Sequence, residues 1–417
     1  MKSAAIITIG DELLYGSVID TNLAYIGQRM TEAGIEPVFS MTVGDENSRI
    51  SQALDIACQQ ADIVLITGGL GPTHDDVTKT VIAKAIGEEL VFHANIMDGL
   101  EATFTQRGIP MPESNRIQAY MPKSAEVLKN PVGTAPGFMV RHQGVDVFVM
   151  PGVPREMKKM VEEQIVPRLV EHGSDRVILH RWIRTTGIGE SNLSLMIGDV
   201  IKNSGDVKIA SLPQETGVSL RLTAEGRTRS EAQQLIESVE TRIVAQAGQH
   251  IFGMDDDTLE GVVGRLLCEA GATVAVAESC TGGLLASRIT DIAGSSDYFL
   301  EGLVTYSNAA KKARLDVLEL TINRYGAVSE ETAIAMAQAV RETSGATYGL
   351  STTGIAGPGG GTNEKPIGLV YLGLATASGV EMRKLILGTD RKTNKIRAIM
   401  AALNLLRLEL LLERNRN

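Results

Sequence analysis

At 417 residues and a formal charge of −10, the chain is too long for one ordinary domain and too acidic for counterion-driven binding to nucleic acid. Two or three domains are expected, with no direct DNA or RNA partner. The three cysteines, Cys58, Cys268 and Cys280, are too few and too scattered for a disulfide framework or a zinc site.

The first apolar run, 4–9, enters Gly10-Asp11-Glu12 directly and is too short for a secretory leader. The late apolar stretch 403–412 is broken by Arg407 and Glu409, so it reads as a packed helix and not a membrane span. A cytoplasmic location is expected.

Residues 1–171 alternate strand and helix. Strands are predicted at 4–9, 36–43, 62–67 and 145–150. Helices are predicted at 21–33, 49–60, 77–86 and after Pro154. Short apolar runs between amphipathic helices imply a parallel sheet covered on both faces. The segment 104–136 is rich in Pro, Asn and Gly, and should be irregular and close to a site. His172-Gly173-Ser174-Asp175 reads as a boundary. A smaller α+β module follows, at 175–252. It has strands at 177–186, 208–212 and 217–224, and helices near 192–201 and 230–247. A second break is expected at 253–257, before Thr258 as a helix N-cap. Strands and helices alternate again over 258–417.

Ligands of open α/β sheets bind outside the carboxyl ends of the strands. Three such ends carry Gly10-Asp11-Glu12, Gly44-Asp45-Glu46 and the loop from Thr67, Gly68 and Gly69 through Gly71 and Thr73 to His74-Asp75-Asp76. Glycines admit a phosphate close to backbone N–H groups. Clustered acids repel phosphate unless a divalent cation lies between, so Asp11, Glu12, Asp45, Asp75 and Asp76 are candidate metal ligands. The spacing fits neither a P-loop nor a dinucleotide fingerprint. His74 is a ligand or a solvent-facing residue.

The motif Glu278-Ser279-Cys280-Thr281-Gly282-Gly283 places a serine where a strand, 273–277, should give way to a Gly-rich turn. Tyr306 follows 27 residues later and Lys311 five after that, and no histidine follows His250. If Ser279 is a nucleophile, lysine or tyrosine must take its proton. Lys312 rivals Lys311 as base, and Cys280 rivals Ser279 as nucleophile. Backbone amides near Gly282 and Gly283 are candidate oxyanion donors. A second small-residue loop, with Thr353, Gly354 and Gly357, suits the phosphate of a mononucleotide. Ser295 and Ser296 offer further donors, and Arg391, opening the last helix, a counter-charge.

Several stretches resemble the CinA family: Gly10-Asp11-Glu12-Leu13-Leu14, Asp20-Thr21-Asn22, the loop 67–76, and Met150-Pro151-Gly152-Val153-Pro154-Arg155-Glu156-Met157. The Ser279 motif resembles that family's nicotinamide-nucleotide amidase domain. The resemblance spans nearly the whole chain. It implies a molybdopterin-binding-like three-layer α/β domain, a small KH-like domain and a C-terminal three-layer α/β amidase domain. It further implies ADP-ribose pyrophosphatase activity at the N-terminal site, with Thr21 and Asn22 among the binding residues. A divalent metal, cobalt or magnesium, and potassium would serve that activity. For the C-terminal site it implies deamidation of nicotinamide mononucleotide without cofactor, with Ser279 as nucleophile, Lys311 as base and Tyr306 as a positioning or relay group.

In the middle module, Gly187-Ile188-Gly189-Glu190 lacks the spacing of an RNA-reading Gly-x-x-Gly loop, so a structural or dimer-forming role is expected. Trp182 reads as core or interface. The last helix, near 395–412, is apolar at Ile396, Ile399, Met400, Leu403, Leu406 and Leu410, with Leu405, Leu408 and Leu411 widening the stripe. That width predicts a homodimer contact, or a helix buried in its own domain.

Overall fold

The computed structural model describes residues 2–171, 177–214 and 216–416. The expected boundary at 172–175 lies outside the described residues. The chain divides into two compact units, Met1–Leu179 with Ala224–Gln234, and His180–Thr223 with Leu235–Asn417.

The first unit holds strands β1 (Ser3–Ile9), β2 (Glu36–Val43), β3 (Ile63–Thr67), β4 (Leu90–Phe92), β5 (Tyr120–Pro122), β6 (Glu126–Leu128), β7 (Gly137–His142) and β8 (Val145–Met150). Its main sheet runs β2-β1-β3-β8-β7-β6. Neighbouring side chains of β1 point to opposite faces. Ile7 and Ile9 meet Ile50, Leu54 and Ala57 of helix Asn47–Gln60 on one face. Ala4 and Ile6 meet Ile26 and Met30 of helix Thr21–Glu32, and Met157, on the other.

The sheet is mixed where an all-parallel one was expected. β2, β1, β3 and β8 are parallel, but β7 runs antiparallel to both its neighbours, β8 and β6. The reason is a two-residue hairpin between β7 and β8, with Gln143 at φ 51° and Gly144 at φ 83°. Two positive φ values suit the tight turn that matches strand twist. Helix Ala94–Gln106 also escaped the sequence reading. The segment expected to be irregular holds a 3-10 helix, Glu113–Ala119, with β5 and β6.

In the middle of the chain, β9 (Val177–Thr185), β10 (Lys208–Gln214), β11 (Gly217–Gly226) and β12 (Ile251–Met254) form a sheet in the order β10-β11-β9-β12. β12 occupies part of the expected break at 253–257, pairing Met254 with Ile183. Trp182 is half-buried, with the Arg184 and Arg221 guanidinium carbons 4.8 and 5.8 Å from its ring centre.

The C-terminal sheet is β14-β13-β15-β16-β17, from β13 (Val274–Glu278), β14 (Phe299–Val304), β15 (Tyr348–Gly354), β16 (Leu369–Ala375) and β17 (Val380–Ile386). β14, β13 and β15 are parallel; β16 and β17 are antiparallel additions. Helix Glu330–Ser344 covers Ala275 and Ala277 on one face through Met336 and Val340. Helices Leu259–Ala270 and Arg391–Arg416 cover Val274, Val276 and Leu350 on the other. Thr258 does cap its helix, accepting from the Gly261 N–H at 3.2 Å.

The last helix hides its wide stripe inside this domain. Ile396, Ile399, Met400, Leu403, Leu405, Leu406 and Leu410 are all buried in one core with the sheet and helix Leu259–Ala270. The stripe is wide because the helix is covered from two sides, and it gives no support to a dimer. No helix among the described residues is long and apolar enough to cross a membrane.

Arg407 ties this helix to the middle sheet. Buried, it donates to Asn404 Oδ1 at 3.0 Å and to the carbonyls of Gln249 and Ile251 at 2.8 and 3.2 Å. Arg407→Leu removes three hydrogen bonds, of which the one to Asn404 is fully buried, and is expected to cost about 1–3 kcal/mol, the scale of one unmet buried group. A lowered urea midpoint checks this; an unchanged midpoint would show that the bonds contribute nothing.

Candidate functional sites

β13 ends at Glu278, and the chain then turns sharply through Ser279–Gly283 into helix Leu284–Thr290. Gly282 and Gly283 have φ of 63° and 90°, a region unfavourable to residues with a Cβ. The Glu278 carboxylate, 1% exposed, sits under this turn. It accepts from the N–H groups of Gly283 (3.0 Å), Leu285 (3.1 Å) and Ala286 (2.8 Å). It thus satisfies the orphan donors of the helix start. Ser279 N–H donates to Thr352 O of β15 at 2.9 Å, which fixes the serine between two strands.

Lys311 comes from helix Asn308–Leu315, whose cap Ser307 accepts from Ala310 N–H at 3.0 Å. A helical side chain leans toward its own N-terminus, and this one reaches back into the sheet edge. Its Nζ lies 2.8 Å from Ser279 Oγ and 2.7 Å from Thr305 O. Lys311 is 1% exposed, and burial pulls its pKa down from 10.5 to about 8. A pKa near 8 leaves an appreciable neutral fraction near neutral pH. The rival Lys312 points outward to Glu319 at 2.8 Å. The rival Cys280 also borders the cleft above Ser279 and Lys311, but it packs with the apolar core, and burial pushes its thiol up to about 11. A thiol with that pKa is protonated at neutral pH and a poor nucleophile.

A cleft of about 250 Å³ opens above the pair. Ser279, Lys311, Tyr306, Thr353, Gly354, Gly357 and Arg391 line it. Tyr306 lies two residues beyond β14, which ends at Val304. Its hydroxyl accepts from Arg391 at 2.9 Å, and Arg391 also donates to Gly357 O at 2.8 Å. Tyr306 therefore orients Arg391 in this structure and makes no hydrogen bond to Ser279.

Two sets of candidate donors are placed otherwise than their sequence positions suggest. Gly283 N–H is held by Glu278 and Gly282 N–H by Ser279 O at 3.2 Å, so neither is free for an oxyanion. Only the N–H groups of Cys280 and Thr281 in the turn lack a carbonyl or carboxylate acceptor among the described residues. Ser295 and Ser296 precede β14, beside the amino end of β13, because Phe299 pairs with Val274. Parallel strands put them at the sheet edge opposite Ser279, and they do not line the cleft.

The second cleft, about 590 Å³, lies at the carboxyl ends of β1, β3 and β8. Glu12, Asp45, Asp75 and Asp76 line it, as do Thr21, Asn22, Thr67, Gly68, Gly69 and Gly71. A Cβ on Gly68 would come within 2.1 Å of Ile9 O, so only glycine allows the loop to approach β1 so closely. The two Gly-Asp-Glu turns meet: Asp11 N–H donates to Asp45 Oδ2 at 3.1 Å. Burial, then the charges of Asp11, Glu12 and Asp75, raise the Asp45 pKa.

The acids share a field without forming a ligand shell. Among the described residues, no three His, Cys, Asp or Glu side chains group to hold a metal. Asp76 accepts from the Thr73 N–H at 2.9 Å and its hydroxyl at 2.5 Å, which accounts for Thr73 as a loop brace. Asp11 and Thr73 do not line the cleft, and His74 faces solvent beside Asp75. Gln118 and Glu156 line it and were not singled out from sequence. Gln118 falls in the segment expected near the site; Glu156 falls in a motif already quoted.

Ser279 should react with an activated-ester probe at a rate that rises with pH and levels off as the amine beside it loses its proton. The midpoint expected is about 8, set by Lys311. A midpoint near 10.5 would mean that the amine is not held in this buried state.

Three family models match the chain: "Probable molybdopterin binding domain" over 5–171, "Damage-inducible protein CinA KH domain" over 180–253, and "CinA C-terminal domain" over 256–410. A "CinA-like protein" of Kosmotoga olearia is 42% identical over 408 residues, 98% of this chain and 99% of the relative. A relative named for competence-damage induction, from Alkaliphilus metalliredigens, is 43% identical over 408 residues, 98% and 99% of the two chains. Among solved structures, the competence/damage inducible protein CihA of Agrobacterium tumefaciens is 40% identical, covering 36% of this chain and 93% of its own, with a TM-score of 0.36.

Proposed function

The chain belongs to the CinA family, and on that premise we propose that its C-terminal cleft deamidates nicotinamide mononucleotide. One observation supports this most directly: a buried lysine amine at 2.8 Å from a serine hydroxyl at the floor of a cleft. Nucleophile and base within hydrogen-bond reach, with the base tuned by burial, suit acyl transfer.

In this reading, neutral Lys311 takes the Ser279 proton as Oγ attacks the carboxamide carbon. The adduct's oxygen faces the N–H groups of Cys280 and Thr281. As the C–N bond breaks, Lys311 returns the proton to the departing nitrogen, and ammonia leaves an ester on Ser279. Water, deprotonated by Lys311, then attacks the ester. Nicotinic acid mononucleotide departs and Ser279 regains its proton. Arg391, held by Tyr306 and Gly357, supplies positive charge for the substrate phosphate. Neither step needs a cofactor.

For the N-terminal cleft we infer cleavage of the ADP-ribose pyrophosphate to AMP and ribose 5-phosphate. Glycine loops at three strand ends support a phosphate ligand. The acids do not suffice as a ligand set, so a divalent cation, cobalt or magnesium, would need phosphate oxygens to complete its shell. Potassium belongs to this reading through the family resemblance alone. The incomplete donor set also favours a second reading, a nucleotide- or pterin-binding scaffold without chemistry. The acidic charge speaks against direct DNA contact in either case. A homodimer remains a proposal, with the middle sheet as the candidate contact.

Ser279→Ala and Lys311→Ala should each lower amide hydrolysis about a thousandfold or more, as expected where residues act as a unit. Nucleotide binding should persist and EDTA should have no effect. Cys280→Ala should stay active; a dead Cys280→Ala beside an active Ser279→Ala would reverse the assignment.

The Ser279→Ala chain, silent as an amidase, isolates the other site. It should release AMP from ADP-ribose with magnesium or cobalt and stop with EDTA. Asp45→Asn should slow that release about tenfold or more, the usual scale for disturbing a cation's surroundings. No AMP with either metal would leave the scaffold reading.

A further inference from the structure

The glycine loop of the C-terminal cleft has its acceptors engaged and its donors free. Ile355 O accepts from Gly368 N–H at 2.7 Å, Ala356 O from Asn394 Nδ2 at 2.9 Å, and Gly357 O from Arg391 at 2.8 Å. The N–H groups of Ala356, Gly357, Gly359 and Gly360 have no acceptor among the described residues. All four residues line the cleft. In a trans peptide unit the C=O and the N–H point opposite ways. The Gly357 N–H therefore points away from Asn394, which holds the carbonyl before it.

Asn394 is the member of this arrangement that the mechanism does not use. It is 1% exposed and stands one turn after Arg391 in the last helix. Its Nδ2 also donates to Gly388 O at 2.8 Å, and its Oδ1 has no partner among the described residues. The orientation is fixed, because turning the amide would set its oxygen against two backbone carbonyls, which can only accept. An unmet buried acceptor is destabilising. It persists beside two bonds that tie the cleft loop to the chain entering the last helix.

Backbone carbonyls repel a phosphate, and successive free N–H groups cradle it. Without Asn394, the Ala356 carbonyl loses its donor, and nothing else holds the peptide unit that presents the Gly357 N–H. Thr353 does not replace it, since its hydroxyl proton goes to Ala327 O at 2.6 Å.

We propose that Asn394 is a positioning residue for phosphate in the C-terminal cleft: by holding Ala356 O, it turns the Gly357 N–H toward the ligand. The assignment rests on the reading of this cleft as a mononucleotide site. Asn394 does not touch the ligand itself. Its loss weakens what the phosphate contributes and leaves the amide end, at Ser279 and Lys311, as it was.

Calorimetry on the full chain carrying Ser279→Ala tests it without turnover. This parent should bind nicotinamide mononucleotide about tenfold or more tighter than nicotinamide riboside, which lacks the phosphate, the scale of one hydrogen bond to a charged group. Adding Asn394→Leu should weaken the mononucleotide about tenfold and leave the riboside within about twofold. Adding Asn394→His instead, which keeps one ring N–H for Ala356 O, should lose less. No preference for the mononucleotide in the parent, an unmoved affinity in Asn394→Leu, an equal loss in Asn394→His, or equal losses for the two ligands would each overturn the assignment. So would a collapse of the urea midpoint in both variants, which would make Asn394 a residue of stability alone. Phosphate preference without ammonia release by the wild-type chain would refute the amidase and leave this assignment standing.

Discussion

A single buried carboxylate holds the C-terminal site together. Glu278 ends β13 and accepts three backbone N–H groups from the turn and helix that follow. Hydrogen bonds to a charged acceptor contribute about 1.5–3 kcal/mol each. Without them, the start of helix Leu284–Thr290 would be a set of unmet donors inside the protein. With them, the chain reverses at Ser279 without closing over it. The serine then stands at the sheet edge, pinned by Thr352 O, with its hydroxyl free to meet Lys311.

Parallel strands make that meeting possible. In the C-terminal sheet β14, β13 and β15 all end at one edge, so the loops after Glu278, Val304 and Gly354 share it. Ser279, Lys311 with Tyr306, and the glycine loop come from those three loops or the elements they open. The antiparallel strands β16 and β17 extend the sheet without adding to the site. In the first unit the loops after β1, β3 and β8 line the larger cleft. Both sites follow from one rule of open α/β sheets.

That rule is why so much was legible in the sequence. Apolar runs placed β2 and β8 to the residue, and strand ends placed the two glycine-and-acid clusters. What stayed hidden depended on direction or on three-dimensional coverage. Gln143-Gly144 turns β7 back antiparallel, and a two-residue hairpin without Asn or Asp is a weak signal. Ser295 and Ser296 look like any small-residue donors until the register of β14 puts them at the far edge. The stripe on the last helix has the same width whether a partner chain or its own sheet covers it. The Glu278 role had a readable signal, an acid at a strand end directly before a glycine turn. The Thr305 carbonyl that receives Lys311 had none, since any residue supplies a carbonyl.

Burial also decides between the two nucleophiles. Cys280 is intrinsically the stronger one, and it lies next to Ser279 in sequence. A thiol acts only as thiolate, and the apolar core around Cys280 raises its pKa to about 11. Lys311 suffers the same desolvation with the opposite result, because its charged form is the acid and not the base. Its pKa falls to about 8, which makes the amine available. One low-dielectric setting thus keeps the thiol protonated and leaves the amine partly neutral. A hydroxyl needs no ionisation in advance if a neutral amine lies within hydrogen-bond distance, and Ser279 has that amine at 2.8 Å. The buried floor of this cleft thus suits the proposed pairing of serine with lysine better than a cysteine nucleophile.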